Sequence, residues 1–150
     1  MAFDTDNDRS MQGGFNGLIG FRLTDWAQDR STLEFDLAPR HLNRSGVLHG
    51  GVIATMIDAA CGYAGCHCTV PGNVRLAVTL SLTTSYLAAA APGTVRCVAR
   101  KRGGGRRVFA ATAEVYDSKD TLIALGECMY QYRPGSEDPA GVAPPSLTGE

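Results

Sequence analysis

Apolar and polar residues alternate with period two along most of this chain, and the alternation is broken once, by a long segment that is apolar nearly all round. Residues 31–38 (STLEFDLA) set Leu33, Phe35 and Leu37 against Glu34 and Asp36, the pattern of a strand with one face in a core. Residues 17–24 (GLIGFRLT) predict a strand before it, joined through the polar turn D-W-A-Q-D-R. Residues 75–87 put Leu76, Val78, Leu80 and Leu82 on one face, with Ala77, Thr79, Ser81 and Thr83 on the other. In residues 94–102, Val95, Cys97 and Ala99 alternate with Arg96, Val98, Arg100 and Arg102. Gly103-Gly104-Gly105 reads as a hairpin turn, with glycine supplying positive φ. Residues 107–117 then align Phe109, Ala111, Ala113 and Val115, and residues 121–132 complete the set.

The break runs from His49 to about Cys68: G-G-V-I-A-T-M-I-D-A-A-C-G-Y-A-G-C-H-C. A helix this apolar on every side must be covered on several sides, and Pro71-Gly72 supplies a stop signal after it. Two strands, one buried helix and four antiparallel strands predict an α+β architecture, a curved sheet wrapped around one central helix. Residues 1–15 read as a polar lead-in with room for a short helix, residues 16–133 as the folded domain, and residues 134–150 (Pro/Gly/Ser-rich) as a loose, flexible tail.

Composition narrows the function classes. The 150 residues fit one domain with a real core, 44% hydrophobic and 19% charged. A net charge of −1 argues against nucleic acid as partner. No stretch has the length and apolarity of a membrane span, and the start MAFDTDNDRS is acidic and polar rather than a signal peptide. Five cysteines, all in apolar segments, suit a reduced, cytoplasmic protein. Cys61, Cys66, His67 and Cys68 follow no standard zinc spacing, so no metal is expected. G-G-G-R-R lacks the Lys-Ser/Thr of a phosphate-binding loop.

The candidate chemistry sits at the helix start, N-R-S-G-V-L-H-G-G-V-I-A-T-M-I-D from Asn43 to Asp58. The first N–H groups of a helix lack internal partners and carry partial positive charge. Gly50 and Gly51 place no side chain there, so a carbonyl oxygen can approach. Asp58 lies mid-helix among apolar neighbours with no Lys or Arg close by in sequence, an expensive position for a carboxylate without a task. Eight residues of helix separate Gly50 from Asp58, about 12 Å at 1.5 Å per residue. One reacting carbon cannot reach both on one helix, so joint action requires two chains with helices antiparallel across a two-fold axis.

The pattern N-x-x-G-x-L-H-G-G-x-x-A-x-x-x-D, with the later T-L-S-L-T-T-S-Y-L and the G-R-R hairpin, resembles hotdog-fold acyl-CoA thioesterases of the phenylacetate-pathway (PaaI-like) type, from about Leu18 to Tyr132. The resemblance implies a hotdog fold and hydrolysis of an aryl- or arylacetyl-CoA, or of a medium-chain acyl-CoA, to free acid and coenzyme A. It implies that the N–H of Gly50 binds the oxyanion and that Asp58, where the family also uses Glu, is nucleophile or general base. Asn43 and His49 would flank the acyl carbonyl, and Thr79 would orient the attacking water. Gly51, Arg102 and Arg106 are candidate substrate contacts, with Arg100, Lys101 and Arg107 beside them as further cations for the phosphates of coenzyme A. The resemblance also implies a homodimer with shared sites, assembled as a dimer of dimers, and no cofactor besides the coenzyme A of the substrate. A hotdog hydratase would need a carboxylate–His pair arranged to move protons at the β-carbon, and here His49 precedes Asp58 by nine residues. A non-catalytic acyl-CoA-binding protein would keep the pocket but have no use for Asp58.

Overall fold

The computed structural model describes Met11 and residues 13–145; most of the N-terminal lead-in and the last five residues lie outside the described part. Six strands form one antiparallel sheet: β1 (Arg22–Ala27), β2 (Arg30–Asp36), β3 (Ala77–Tyr86), β4 (Thr94–Gly104), β5 (Val108–Tyr116) and β6 (Leu122–Tyr132). Their spatial order is β1-β2-β4-β5-β6-β3, so β1 and β3 are the edges. With them go α1 (Gly14–Ile19), a 3-10 turn at Pro39–His41 and the long α2 (Gly50–Gly65). This is the hotdog architecture, with the sheet curved about α2.

The core lies where α2 meets the concave face of the sheet. Ile53, Met56, Ile57, Ala60, Cys61 and Ala64 meet Leu33, Phe35, Val95, Cys97, Phe109, Val115 and Cys128. Helix and sheet approach so closely that two glycines are needed on steric grounds. A β-carbon at Gly65 would stand 2.1 Å from the Phe109 ring, and one at Gly126 would stand 2.3 Å from Ile57 Cγ2. The all-round apolarity of α2 thus reflects contact with all six strands rather than with one face.

Several elements differ from the sequence expectation, each for a tertiary reason. Residues 17–24 do not form a strand. Gly14–Ile19 is helical, Gly20 closes it at φ +91°, and β1 starts only at Arg22. Ile19, Phe21 and Leu23 are all buried; their alternation is real but runs across a helix end. The first hairpin turn is only Gln28-Asp29, since Ala27 already pairs with Arg30. At the β4–β5 hairpin, Gly103 and Gly104 belong to β4, and Gly105–Arg107 make the turn.

The helix stops at Gly65, short of Cys68. Trp26 Nε1 donates to the Tyr63 carbonyl at 2.8 Å, while Tyr132 Oη and Arg75 donate to that of Gly65 at 2.6 and 3.3 Å. Side chains from the sheet and the following loop take up the carbonyls that further helical N–H groups would have used. In β3, the pairing with β6 shifts between Thr79 and Ser81. This bulge at Leu80 ends the single apolar face expected for Leu76 to Leu82. Ala77 and Thr79 turn toward the helix, as do Leu82 and Tyr86 beyond the bulge, opposite Cys128 and Ala124. Residues 134–145, read as loose tail, fold back on the segment after α2. Arg75 Nε donates to the Ser136 carbonyl at 3.0 Å, Asn73 Nδ2 to that of Ala140 at 2.8 Å, and Val74 bridges Val142. Among the described residues no helix is long and apolar enough to cross a membrane.

Candidate active site

The site has two parts, both on α2. At the N-terminal tip, His49 is the N-cap and its Nδ1 accepts the Gly51 N–H at 2.8 Å. Nε2 is therefore the protonated ring nitrogen. The His49 carbonyl accepts from Val52 at 3.0 Å and Ile53 at 3.4 Å. Of the four leading N–H groups, only that of Gly50 has no partner among the described residues. Gly50 has little room for a side chain: a β-carbon would lie 3.2 Å from the Tyr86 ring, whose hydroxyl donates to the Gly50 carbonyl at 2.8 Å.

The loop before the tip is built by Asn43. Its Oδ1 accepts N–H groups from Ser45 at 2.9 Å and Val47 at 3.3 Å, and Gly46 takes φ +77° to close the turn. Behind it, buried His41 accepts from Ala38 N–H at Nδ1 and meets the Ile19 carbonyl at 2.7 Å through Nε2, while its own carbonyl holds the His49 N–H at 2.8 Å. Asn43 and His49 are thus engaged in shaping the tip, and His49 Nε2 has no partner among the described residues. Phe15, Leu18, Leu42 and Val52 line an apolar concavity of about 630 Å³ beside His49 and Gly51.

The second part is the acid. Asp58 is half-buried and faces a cavity of about 340 Å³ lined by Trp26, Tyr63, Arg75, Leu76 and Thr79 among others. It has no cationic partner among the described residues, as expected, yet it is not unpaired. Thr79 Oγ1 donates to its Oδ1 at 2.7 Å, and Tyr130 Oη reaches the same oxygen at 3.0 Å as well as the Asp58 carbonyl. Burial, with neighbouring Cys128 and Asp58, raises the Tyr130 pKa, so its hydroxyl stays a donor. No histidine is among the residues lining this cavity.

Other expected contacts are scattered. Arg102 donates to Thr112 Oγ1 at 2.8 Å and lines a hollow with Arg100, Glu114 and Glu127, on the sheet face away from α2. Arg106 lies elsewhere, in a cleft of about 180 Å³ with Lys101, His67 and Arg75. That cleft adjoins the Asp58 cavity, because Arg75 lines both. Cys61 and Cys128 are buried under the site, and burial pushes the Cys66 thiol up to about 12. Sequence reasoning missed Tyr86, Tyr130, Trp26 and Arg75. An aromatic or arginine within a strand or loop carries no local sign that it will meet the helix.

The thioesterase superfamily pattern matches residues 45–124, which include the tip, Asp58, Thr79 and Tyr86. The chain is similar to the conserved protein PA5202 of Pseudomonas aeruginosa, 30% identical over 83% of this chain and 98% of that one, with a TM-score of 0.73. It is also similar to thioesterase HI1161 of Haemophilus influenzae (17% identity, 89% of this chain and 92% of that one, TM-score 0.78). A third likeness is to a mutant structure of the phenylacetic acid degradation protein PaaI of Thermus thermophilus (23% identity, 79% and 97% covered, TM-score 0.67). The last two show a common fold. The chain belongs to the thioesterase superfamily and is a thioester hydrolase.

Proposed function

We propose that this chain hydrolyses an acyl-CoA thioester, with aryl- or arylacetyl-CoA preferred and medium-chain acyl-CoA next, in sites shared between two copies. The observation that carries the reading is the division of labour on α2: at Gly50 an N–H without a partner among the described residues, and eight residues on a carboxylate in an aromatic-walled cavity. The Gly50 N–H, backed by the helix dipole, receives the charge that builds on the thioester oxygen. Asp58 of the partner subunit attacks the carbonyl carbon or takes a proton from a water that does so. The leaving sulfur ends as the coenzyme A thiol, the acyl group as the free acid. Trp26, Tyr63 and Tyr130 around Asp58 favour a flat, apolar acyl group.

The shape of β3 supports the shared site. β3 is an edge strand that leaves Val78, Leu80 and Leu82 exposed, an arrangement that invites pairing. Thr79 touches Asp58, and Tyr86 touches Gly50. If β3 pairs antiparallel with its own copy about an axis between Leu82 and Thr83, Thr79 comes opposite Tyr86 of the partner subunit. Asp58 then approaches Gly50 of the partner subunit, twice per dimer. Two such dimers would complete the dimer of dimers. Arg106, beside the Asp58 cavity, fits the phosphates of coenzyme A better than Arg102, which lies across the sheet. Coenzyme A enters only with the substrate.

Thiol release over a panel of aryl-, arylacetyl- and straight-chain acyl-CoAs tests the substrate class, beside mass measurement in solution. The expected result is a dimer or tetramer with highest kcat/KM on an aromatic acyl group. Asp58→Asn should lower kcat by about 10²- to 10⁴-fold. A fully active monomer, or an unimpaired Asp58→Asn variant, overturns the reading. Single turnover in ¹⁸O-water refines it further, since label in Asp58 reports an anhydride intermediate.

A further inference from the structure

Asp58 stands on the helix with only two side-chain torsions, and a carboxylate free to spin presents its oxygens interchangeably. Here they are not equivalent. Oδ1 receives the Thr79 hydroxyl at 2.7 Å and the Tyr130 hydroxyl at 3.0 Å, whereas Oδ2 has no partner among the described residues. Tyr130 also reaches the Asp58 backbone carbonyl, so one hydroxyl holds both the helix backbone and the acid it carries. The tyrosine is itself fixed. Its ring stacks on Phe109 with centroids 4.9 Å apart and planes 13° apart, and the β-carbon position of Gly62 lies 3.5 Å from it. A rigid strand donor 72 residues away in sequence thus restrains Asp58.

We propose that Tyr130 is the positioning residue of the reaction: with Thr79 it latches Asp58 through Oδ1, so that Oδ2 is the oxygen that meets the thioester or the attacking water. This rests on the hydrolytic role of Asp58 proposed above. The Tyr130 hydroxyl acts through Asp58, holding its χ2 in the reactive orientation. Misplacement of a reacting group by a fraction of an ångström is enough to slow the chemical step without weakening binding.

A matched control lies two residues away. Tyr132 also donates its hydroxyl to a carbonyl of α2, that of Gly65 at 2.6 Å, and also packs on Phe109, but its hydroxyl makes no bond to Asp58. Tyr130→Phe and Tyr132→Phe each remove one buried hydroxyl from the same strand. Tyr130→Phe should lower kcat about ten- to a hundredfold with KM within about twofold, the signature of an interaction that matters only in the chemical step. Tyr132→Phe should lose comparable thermal stability and keep kcat within about twofold. An unchanged kcat in Tyr130→Phe, or equal losses of kcat in both variants, overturns the latch. Asp58→Asn separates this failure from the larger one: if it still turns over, the acid has no hydrolytic role and the latch falls with it. If it is inactive while Tyr130→Phe is normal, only the latch falls.

Discussion

The two ends of α2 solve the same problem in opposite ways. At the C-terminal end two of the last carbonyls are covered, Tyr63 by Trp26 Nε1 and the Cys66 N–H, Gly65 by Tyr132 and Arg75. At the N-terminal end His49 satisfies the Gly51, Val52 and Ile53 donors, and one N–H, that of Gly50, is left open. The covered end is stabilising and closed to ligands, while the open end keeps a donor that costs little at a half-buried tip and becomes useful when charge builds beside it. An N–H left without a partner at a helix start, beside a cavity, is therefore informative about chemistry, where a merely polar end is not.

The sharpest way to break this contrast is to close the open donor. Gly50→Pro removes only that N–H at the first helical position, where proline is well tolerated and where His49 at ψ 129° is already compatible. Hydrolysis should fall by about 10²- to 10³-fold while the folded structure, followed by circular dichroism, persists. The β-carbon must push the Tyr86 ring by a few tenths of an ångström, so Gly50→Ala, which keeps the N–H, is the steric control. Mixing Gly50→Pro with Asp58→Asn chains then tests whether the tip and the acid come from different copies. Random reassembly of two inactive variants should restore about a quarter of the sites, and no recovery would count against sharing.

At the closed end the effect should be on stability rather than on turnover. Gly65→Ala drives a β-carbon into the Phe109 ring at 2.1 Å. It should cost about 1–3 kcal/mol in denaturant unfolding, with kcat per folded molecule retained. The smallest effect is expected at the cap. His49→Ala loses the Gly51 bond and should destabilise by about 0.5–2 kcal/mol. If it also raises KM, His49 contacts the acyl group; an unchanged KM restricts it to capping.

Asp58 and Thr79 were legible separately in the chain, one as a lone acid in an apolar helix, the other through the family resemblance. Their 2.7 Å contact was not legible, because the bulge at Leu80 decides which side of β3 Thr79 occupies. An uninterrupted strand from Leu76 would have kept the alternation as read. The first strand was misread for a related reason, since burial at Ile19, Phe21 and Leu23 mimics a strand while the backbone changes from helix to strand at Gly20.

By itself the sequence determined the helix, the strands that cover it, the glycine-led tip and the acid, because burial period and helix-start chemistry are set by neighbours within a few residues. Tertiary structure alone decided where α2 stops, how residues 134–145 fold back on Asn73, Val74 and Arg75, and which hydroxyls reach the two parts of the site. Tyr86 meets Gly50 from 36 residues away and Tyr130 meets Asp58 from 72. Side-chain hydrogen bonds across such separations depend on strand order and register, and those are settled only when the whole core packs.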